Sequence, residues 1–299
     1  MREPPNRISF SSLSTYKQCK KKWKFQYLED VILVMPSLAQ VVGSFVHAVF
    51  EAFYLLEKDE RTLAAAKALA KDMFEAFSQE DENYLLLELN DLQEAEFKSL
   101  SWVLIQSLWA LEAPEEIEVV DTEYEINTEL NGVQFHGYVD RIDRDDDGLV
   151  ITDYKTGSTP RLDRFAKDKI EQVTLYSAAV QQELEENVAF ARLIFLEKKT
   201  KSILGVVPSD ARIKHQLKDL KDSWDEIQKS IENDDFPATR QVLCAWCGFL
   251  GMCDEGQEEV IERFKAGTLK KTSPAYAAIQ DLLQNEVPVQ LTVAPRVGP

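Results

Sequence analysis

The chain has 299 residues, with 34 Lys or Arg against 52 Asp or Glu, a formal net charge of −18. Apolar residues make up 44% and charged ones 29%, with only 11 Gly and 11 Pro, which fits a soluble globular protein and excludes a collagen-like or linker-dominated chain. Such acidity argues against a general nucleic-acid coat but leaves room for a local basic groove.

The opening MREPPNRISF lacks the apolar stretch of a signal peptide, and no run of about 18 apolar residues follows it. A cytosolic protein with no membrane partner is expected. From Pro4 to Leu28 the sequence holds no acid, while Arg7, Lys17, Lys20, Lys21, Lys22 and Lys24 alternate with Tyr16, Trp23, Phe25 and Tyr27. Two readings stand: a solvated helix face with aromatics in the core, or a phosphate-tracking surface. Ser11, Ser12 or Ser14 is expected to cap the helix that carries Cys19. Residues 38–57 read as a helix, since Val42, Phe45, Val46, Val49, Phe53 and Leu56 recur at helical spacing. Helix continues over 61–112, with breaks expected around Ser78–Asn83 and Leu89–Asp91, until Ala113-Pro114 stops it.

The period then changes to two. Residues 116–127, 133–143 and 148–155 read as strands, and Asn131-Gly132 and Asp147-Gly148 mark the turns of an antiparallel meander. A helix (165–185), two strands (189–198 and 202–208), an amphipathic helix (210–233), a cysteine-bearing segment (244–253), a short charged helix and a Pro-containing tail complete the order. This is an α/β chain with a helical insertion.

The second hairpin carries the chemistry. With its loop centred on Asp146-Asp147, Asp140 faces Asp153 on one side of the sheet, and Lys155 shares that side because the strand period is two. Two opposed carboxylates repel unless a proton, a basic group or a cation offsets them. Hard oxygen ligands suit Mg²⁺ or Mn²⁺, and a lysine alongside suits phosphodiester hydrolysis. The plain alternative is a surface salt-bridge cluster. His47 adds an imidazole on the first long helix, with Gly43 one turn before it and Glu51 one turn after. Gly43 weakens a helix, which suggests that another backbone or a ligand approaches there, and Glu51 is placed to orient His47. The alternative is a half-buried histidine satisfied by hydrogen bonds.

Cys19 stands alone, while Cys244, Cys247 and Cys253 read C-x2-C-x5-C. If they share one centre, four thiolates fit a structural zinc or a [4Fe–4S] cluster, and on spacing both remain open. Leu243, Trp246, Phe249, Leu250 and Met252 would wrap that centre in apolar surface. Either group would staple the two ends of the chain together.

Taken in order, SSLSTYKQC with Cys19, GSFVHAVFE with His47, GYVDRID with Asp140, ITDYKTG with Asp153 and Lys155, QVTLYS with Gln172 and Tyr176, and CAWCGFLGMC resemble a known pattern. It is that of the RecB/AddB-type branch of the PD-(D/E)XK nucleases, in particular iron–sulfur exonucleases similar to the CRISPR-associated stand-alone ones. The resemblance runs from Ile8 to Cys253 and implies a mixed five-stranded sheet flanked by helices, with residues 1–253 as the nuclease domain, 56–115 as its helical insertion and 254–299 as a tail of unknown role. It implies that His47, Asp140, Asp153 and the Tyr154 carbonyl hold Mn²⁺ or Mg²⁺, and that Lys155 serves the attacking water alongside Asp140 and Asp153. Gln172 and Tyr176 would line the DNA path, and the four cysteines would hold a [4Fe–4S] cluster. Lys20 and Gly248 stand where relatives often carry proline, and Asp153 stands where many carry Glu.

The expectation is a metal-dependent exonuclease acting on DNA ends or single strands, in recombination, repair, phage replication or CRISPR adaptation. No G-x4-G-K-[ST] occurs, so unwinding would come from a partner such as a helicase. The competing expectation is a catalytically weak DNA-end-binding adaptor with a four-cysteine zinc or iron–sulfur site.

Overall fold

The computed structural model describes residues 4–29, 31, 36–158, 166–197 and 203–284. Over the described positions the chain divides into two compact units, one from residues 1–6, 11–34 and 223–299, the other from residues 7–10 and 35–222.

In the unit built from the chain ends, the basic run forms two helices, α1 (Phe10–Gln18) and α2 (Lys20–Tyr27), joined at the extended Cys19. Cys19 is therefore a junction residue, and Ser11, Ser12 and Ser14 lie inside α1 instead of capping the helix that carries it. Tyr16, Trp23 and Phe25 are buried, with Trp23 stacked on Phe236 and edge-on to Tyr16. Lys20, Lys21 and Lys24 each lie 2.6 Å from an acid, Glu226, Glu255 and Asp234 respectively. For Lys20, Lys21 and Lys24 the reading as a helix face is favoured, because acids from the far end of the sequence pair with them and Tyr16, Trp23 and Phe25 are packed away.

The second unit starts its long helix at a capping box. Ser37 Oγ accepts from Gln40 N at 3.3 Å and Gln40 Oε1 accepts from Ser37 N at 2.9 Å. The helix, α3 (Leu38–Tyr54), buries the stripe Val42, Phe45, Val46, Val49 and Phe53 that its periodicity announced. The insertion forms α4 (Leu63–Glu80), capped by Thr62, and α5 (Glu82–Leu86) and α6 (Asp91–Ser107), whose caps Asp81 and Asn90 fall at the two expected breaks. Phe45, Phe74, Phe77, Tyr84 and Phe97 join these helices in one aromatic cluster.

Three strands follow, β1 (Glu118–Leu130), β2 (Val133–Asp145) and β3 (Gly148–Ser158). Asn131 and Gly132 both adopt positive φ, 51° and 78°, as a two-residue hairpin turn requires. A crossover helix, α7 (Ala166–Leu184), leads to β4 (Val188–Glu197), which runs parallel to β3, and β5 (Ile203–Val206) completes the edge antiparallel to β4. The sheet is mixed and five-stranded, in the order β1-β2-β3-β4-β5. Next, α8 (Asp210–Asn233) carries the chain on to the other unit. There α9 (Asp254–Lys265) and α10 (Pro274–Gln284) join Ala245 and Leu250 in a small core with Val260, Leu269, Ala275 and Ile279. The expected element ends at 165, 198 and 202 and the Pro-containing tail from 285 lie outside the described residues. Among the described residues no helix is long and apolar enough to cross a membrane.

Candidate functional site

The β2–β3 ladder keeps one register over five Cα pairs, from Asp145↔Gly148 to Arg141↔Thr152, and stops there. Asp140 and Asp153 occupy the next positions, where a side chain takes over from the backbone partner: Asp140 Oδ2 accepts the Tyr154 N–H at 2.6 Å. The same oxygen lies 3.4 Å from His47 Nδ1. Lys155 Nζ approaches Asp153 Oδ2 to 2.5 Å, a charge contact, since that buried oxygen accepts no hydrogen bond of good geometry. Gln172 Nε2 donates to Asp153 Oδ1 at 3.1 Å and to Tyr176 Oη at 3.3 Å. His47, Asp140, Asp153, Tyr154, Lys155, Gln172 and Tyr176 are thus brought together from α3, β2, β3 and α7.

Two glycines permit this convergence. A Cβ on Gly43 would meet Thr156 Oγ1 at 3.1 Å, so α3 lies against β3 at that point. A Cβ on Gly137 would meet the Tyr176 ring at 3.0 Å. Glu51, expected to orient His47, is exposed, and the group that faces the imidazole Nδ1 is Asp140.

Burial pushes the Asp153 carboxyl up, against the pull of the Lys155 ammonium and with the added repulsion of Asp140. Burial alone would lower His47, but its contact with Asp140 and the charges of Asp140 and Asp153 outweigh it and raise the imidazole. The two carboxylates share the Lys155 ammonium and the His47 imidazole as their charged or chargeable neighbours.

Glu123 went unmarked in the sequence. His47, Glu123 and Asp140 each place a ligand atom within 4.8 Å of the others, the one such group of three among the described residues. Burial, with Asp140 nearby, lifts the Glu123 carboxyl to about 7. The signal was available: a hairpin turning at Asn131-Gly132 pairs Thr122 with Arg141 and Tyr124 with Val139, which sets Glu123 beside Asp140.

Beside Asp140, Asp153 and Lys155 runs a buried ionic network that sequence reading also missed. Arg141 is fully buried and donates to Glu112 at 2.7 and 3.0 Å and to Asp143 at 2.6 and 2.9 Å. Its guanidinium lies 4.1 Å from the Tyr54 ring centroid and also bonds the Tyr154 hydroxyl. Arg192 adds a 3.0 Å bond to Glu112. Arg141 neighbours Asp140, and Tyr154 lies between Asp153 and Lys155, so this network holds both strands next to the site.

The site opens into a cleft of about 1540 Å³, walled by Leu38, Val42, Leu100, Val103 and Leu104. His47, Glu123 and Asp140 line the same cleft. The walls come from α3 and α6, the latter part of the insertion.

In the other unit, Cys19, Cys244, Cys247 and Cys253 line one cavity of about 180 Å³ together with Lys22, Phe25 and Trp246. Cys19 Sγ accepts the Thr239 N–H at 3.5 Å, and Cys253 Sγ accepts the Gly256 N–H at 3.4 Å. Burial pushes the Cys247 thiol up and the Cys253 thiol up to about 11. No three of the sulfurs lie mutually within 4.8 Å.

Among solved structures, the chain is similar to a protein from Eubacterium rectale named "Putative exonuclease", at 16% identity and a TM-score of 0.47, covering 85% of this chain and 88% of that one. It is also similar to a protein named SSO0001, at 12% identity and a TM-score of 0.37 with the same coverage. No curated protein matches the sequence. The model of the PD-(D/E)XK nuclease superfamily matches residues 7–254, a span that contains the sheet, the carboxylates and all four cysteines. By that match the chain belongs to the PD-(D/E)XK nuclease superfamily.

Proposed function

We propose that the protein is a cytosolic, divalent-metal-dependent exonuclease that acts on DNA ends or single strands and carries a structural [4Fe–4S] cluster. The observation that carries the enzymatic reading is the Lys155 ammonium 2.5 Å from Asp153, beside Asp140 and His47. The donor set fits a hard cation: His47, Asp140, Asp153 and the Tyr154 carbonyl supply nitrogen and oxygen, and Asp153 Oδ2 is buried without a well-aligned hydrogen bond. A bound Mg²⁺ or Mn²⁺ supplies Lewis acidity towards water and the scissile phosphate. Asp140 is fixed by the Tyr154 N–H. Gln172, itself anchored on Tyr176, fixes the rotation of the Asp153 carboxylate. Lys155 then stands where its N–H groups orient the attacking water and oppose the charge that develops on the phosphate.

The apolar walls of the cleft suit unstacked bases better than a duplex backbone, which favours single strands or frayed ends as substrate. Duplex unwinding would fall to a partner such as a helicase, within recombination, repair, phage replication or CRISPR adaptation.

For the thiol site, the spread of the sulfurs supports the [4Fe–4S] reading over zinc. Tetrahedral zinc, with Zn–S near 2.3 Å, requires sulfurs about 3.8 Å apart. The four thiols are spread more widely around a shared cavity of about 180 Å³, which favours the larger cluster. Main-chain N–H groups aimed at Cys19 and Cys253 are the kind of contact that stabilises cluster thiolates.

The test is digestion of end-labelled single- and double-stranded DNA with Mn²⁺ or Mg²⁺. The parent should shorten one labelled end progressively, and Lys155→Ala should lose roughly a hundredfold or more of that activity. Equal digestion by Lys155→Ala removes the catalytic assignment, and an inactive parent that still binds ends returns the adaptor reading. A colourless anaerobic preparation that contains zinc removes the cluster.

A further inference from the structure

We infer that Glu123 is a ligand of the divalent cation, closing the site from the β1 side. The inference rests on the reading of this centre as a cation site and extends it to a residue outside the hairpin that carries Asp140 and Asp153. Three observations support it. The Glu123 carboxylate lies within 4.8 Å of both the His47 and the Asp140 ligand atoms. Its place in β1 is bracketed by the pairs Thr122↔Arg141 and Tyr124↔Val139, which sets it across from Asp140 just as Asp153 follows on the other flank. And Glu123 holds φ at 48° inside a strand, the left-handed region that a side chain with a Cβ enters only at a cost.

Charge points the same way. Glu123, Asp140 and Asp153 together carry three negative charges when ionised, and Lys155 supplies one positive charge. The remainder of two matches a divalent cation; without Glu123 it would be one. In the metal-free protein Glu123 meets the repulsion of Asp140 and Asp153, only partly offset by His47, and a bound cation would relieve it.

The experiment is Mn²⁺ calorimetry on the full chain for the parent, Glu123→Gln, Glu123→Asp and Asp140→Asn, with melting curves in chelator and in Mn²⁺. Glu123→Gln is isosteric. It should weaken Mn²⁺ binding at least about tenfold, with Glu123→Asp falling between it and the parent. In chelator Glu123→Gln should melt no lower than the parent, because one like charge is gone, while its Mn²⁺-induced rise in Tm shrinks. Parent-like Mn²⁺ affinity in Glu123→Gln, with binding lost in Asp140→Asn, overturns this inference and leaves the cation site standing. Parent-like affinity in both variants overturns the cation site itself. A large drop in melting for Glu123→Gln in chelator assigns the residue to the fold, which also overturns the inference.

Discussion

Glu112 and Asp143 grip the same guanidinium, yet their carboxyls shift in opposite directions. Burial alone would raise Glu112, but Arg141 and Arg192, with their charges and hydrogen bonds, hold it below its usual range. At Asp143 burial prevails over the same two arginines and the carboxyl is raised. A carboxyl lowered on folding contributes stability that is present above its unfolded pKa, near 4.3, and is lost as pH falls through the folded value. Asp143 contributes with the opposite sign, so a parent-only pH profile mixes the two. Glu112→Gln isolates one of them. Its removal leaves the buried Arg141 charge short of a partner and should cost about 3 kcal/mol at pH 7. The gap to the parent should begin to narrow near pH 4, where the unfolded chain takes up the proton, and close further as pH falls through the lower folded value of Glu112. Urea unfolding of both proteins at the two pH values measures it, and a gap that stays constant with pH would show that Glu112 is not the ionised partner.

At the scale of elements, the approach of α3 to β3 decides where His47 stands relative to Asp140. Gly43 makes that approach, with Thr156 Oγ1 at 3.1 Å from the Cβ it lacks. Gly43→Ala gains about 1 kcal/mol of helix propensity against a tight contact with one hydroxyl, so its stability should stay within about 1 kcal/mol of the parent. Gly43→Leu cannot be accommodated by that hydroxyl alone. It should destabilise by roughly 1–3 kcal/mol and lower kcat more than Gly43→Ala does, as His47 is carried away from Asp140. Full activity in Gly43→Leu would mean that the helix position does not govern the site. The same contact shows what was legible beforehand. Gly43 inside an otherwise apolar helix announced a close neighbour, and the loop centred on Asp146-Asp147 placed the register of β2 against β3 correctly over five pairs. Glu123 stayed hidden because it stands among Glu118, Asp121, Glu125 and Glu129 in one acidic strand, and a positive φ leaves no trace in an L-residue's name. Arg141 and Asp143 gave no sign of their buried network, because their partner, Glu112, ends a helical insertion elsewhere in the chain.

On the scale of the whole molecule, each unit has a core of its own, but they differ in size. The sheet unit buries Val46, Phe53, Phe97, Ile105 and Ile194 in one cluster with Tyr154, the residue between Asp153 and Lys155. The unit of the chain ends relies on Trp23, its aromatic neighbours and a six-residue cluster around Val260, and its lysine pairs are half exposed and add little. Segments more than two hundred residues apart meet in this unit, as the pairs of Lys20, Lys21 and Lys24 with Glu226, Glu255 and Asp234 show. A cluster bound by Cys19 and Cys244 closes that separation in the unfolded state as any cross-link does, which the chain-entropy argument values at about 5 kcal/mol. Loss of the proposed cluster should therefore loosen this unit first. Cys247→Ser should retain less iron than the parent and melt at lower temperature. In hydrogen exchange, amides of residues 11–29 and 242–265 should lose protection, while those of β2, β3 and β4 keep theirs together with Mn²⁺ binding at Asp140. Loss of protection spread evenly across the sheet would show that the cluster supports the nuclease core itself, and unchanged exchange at both places would remove its structural role.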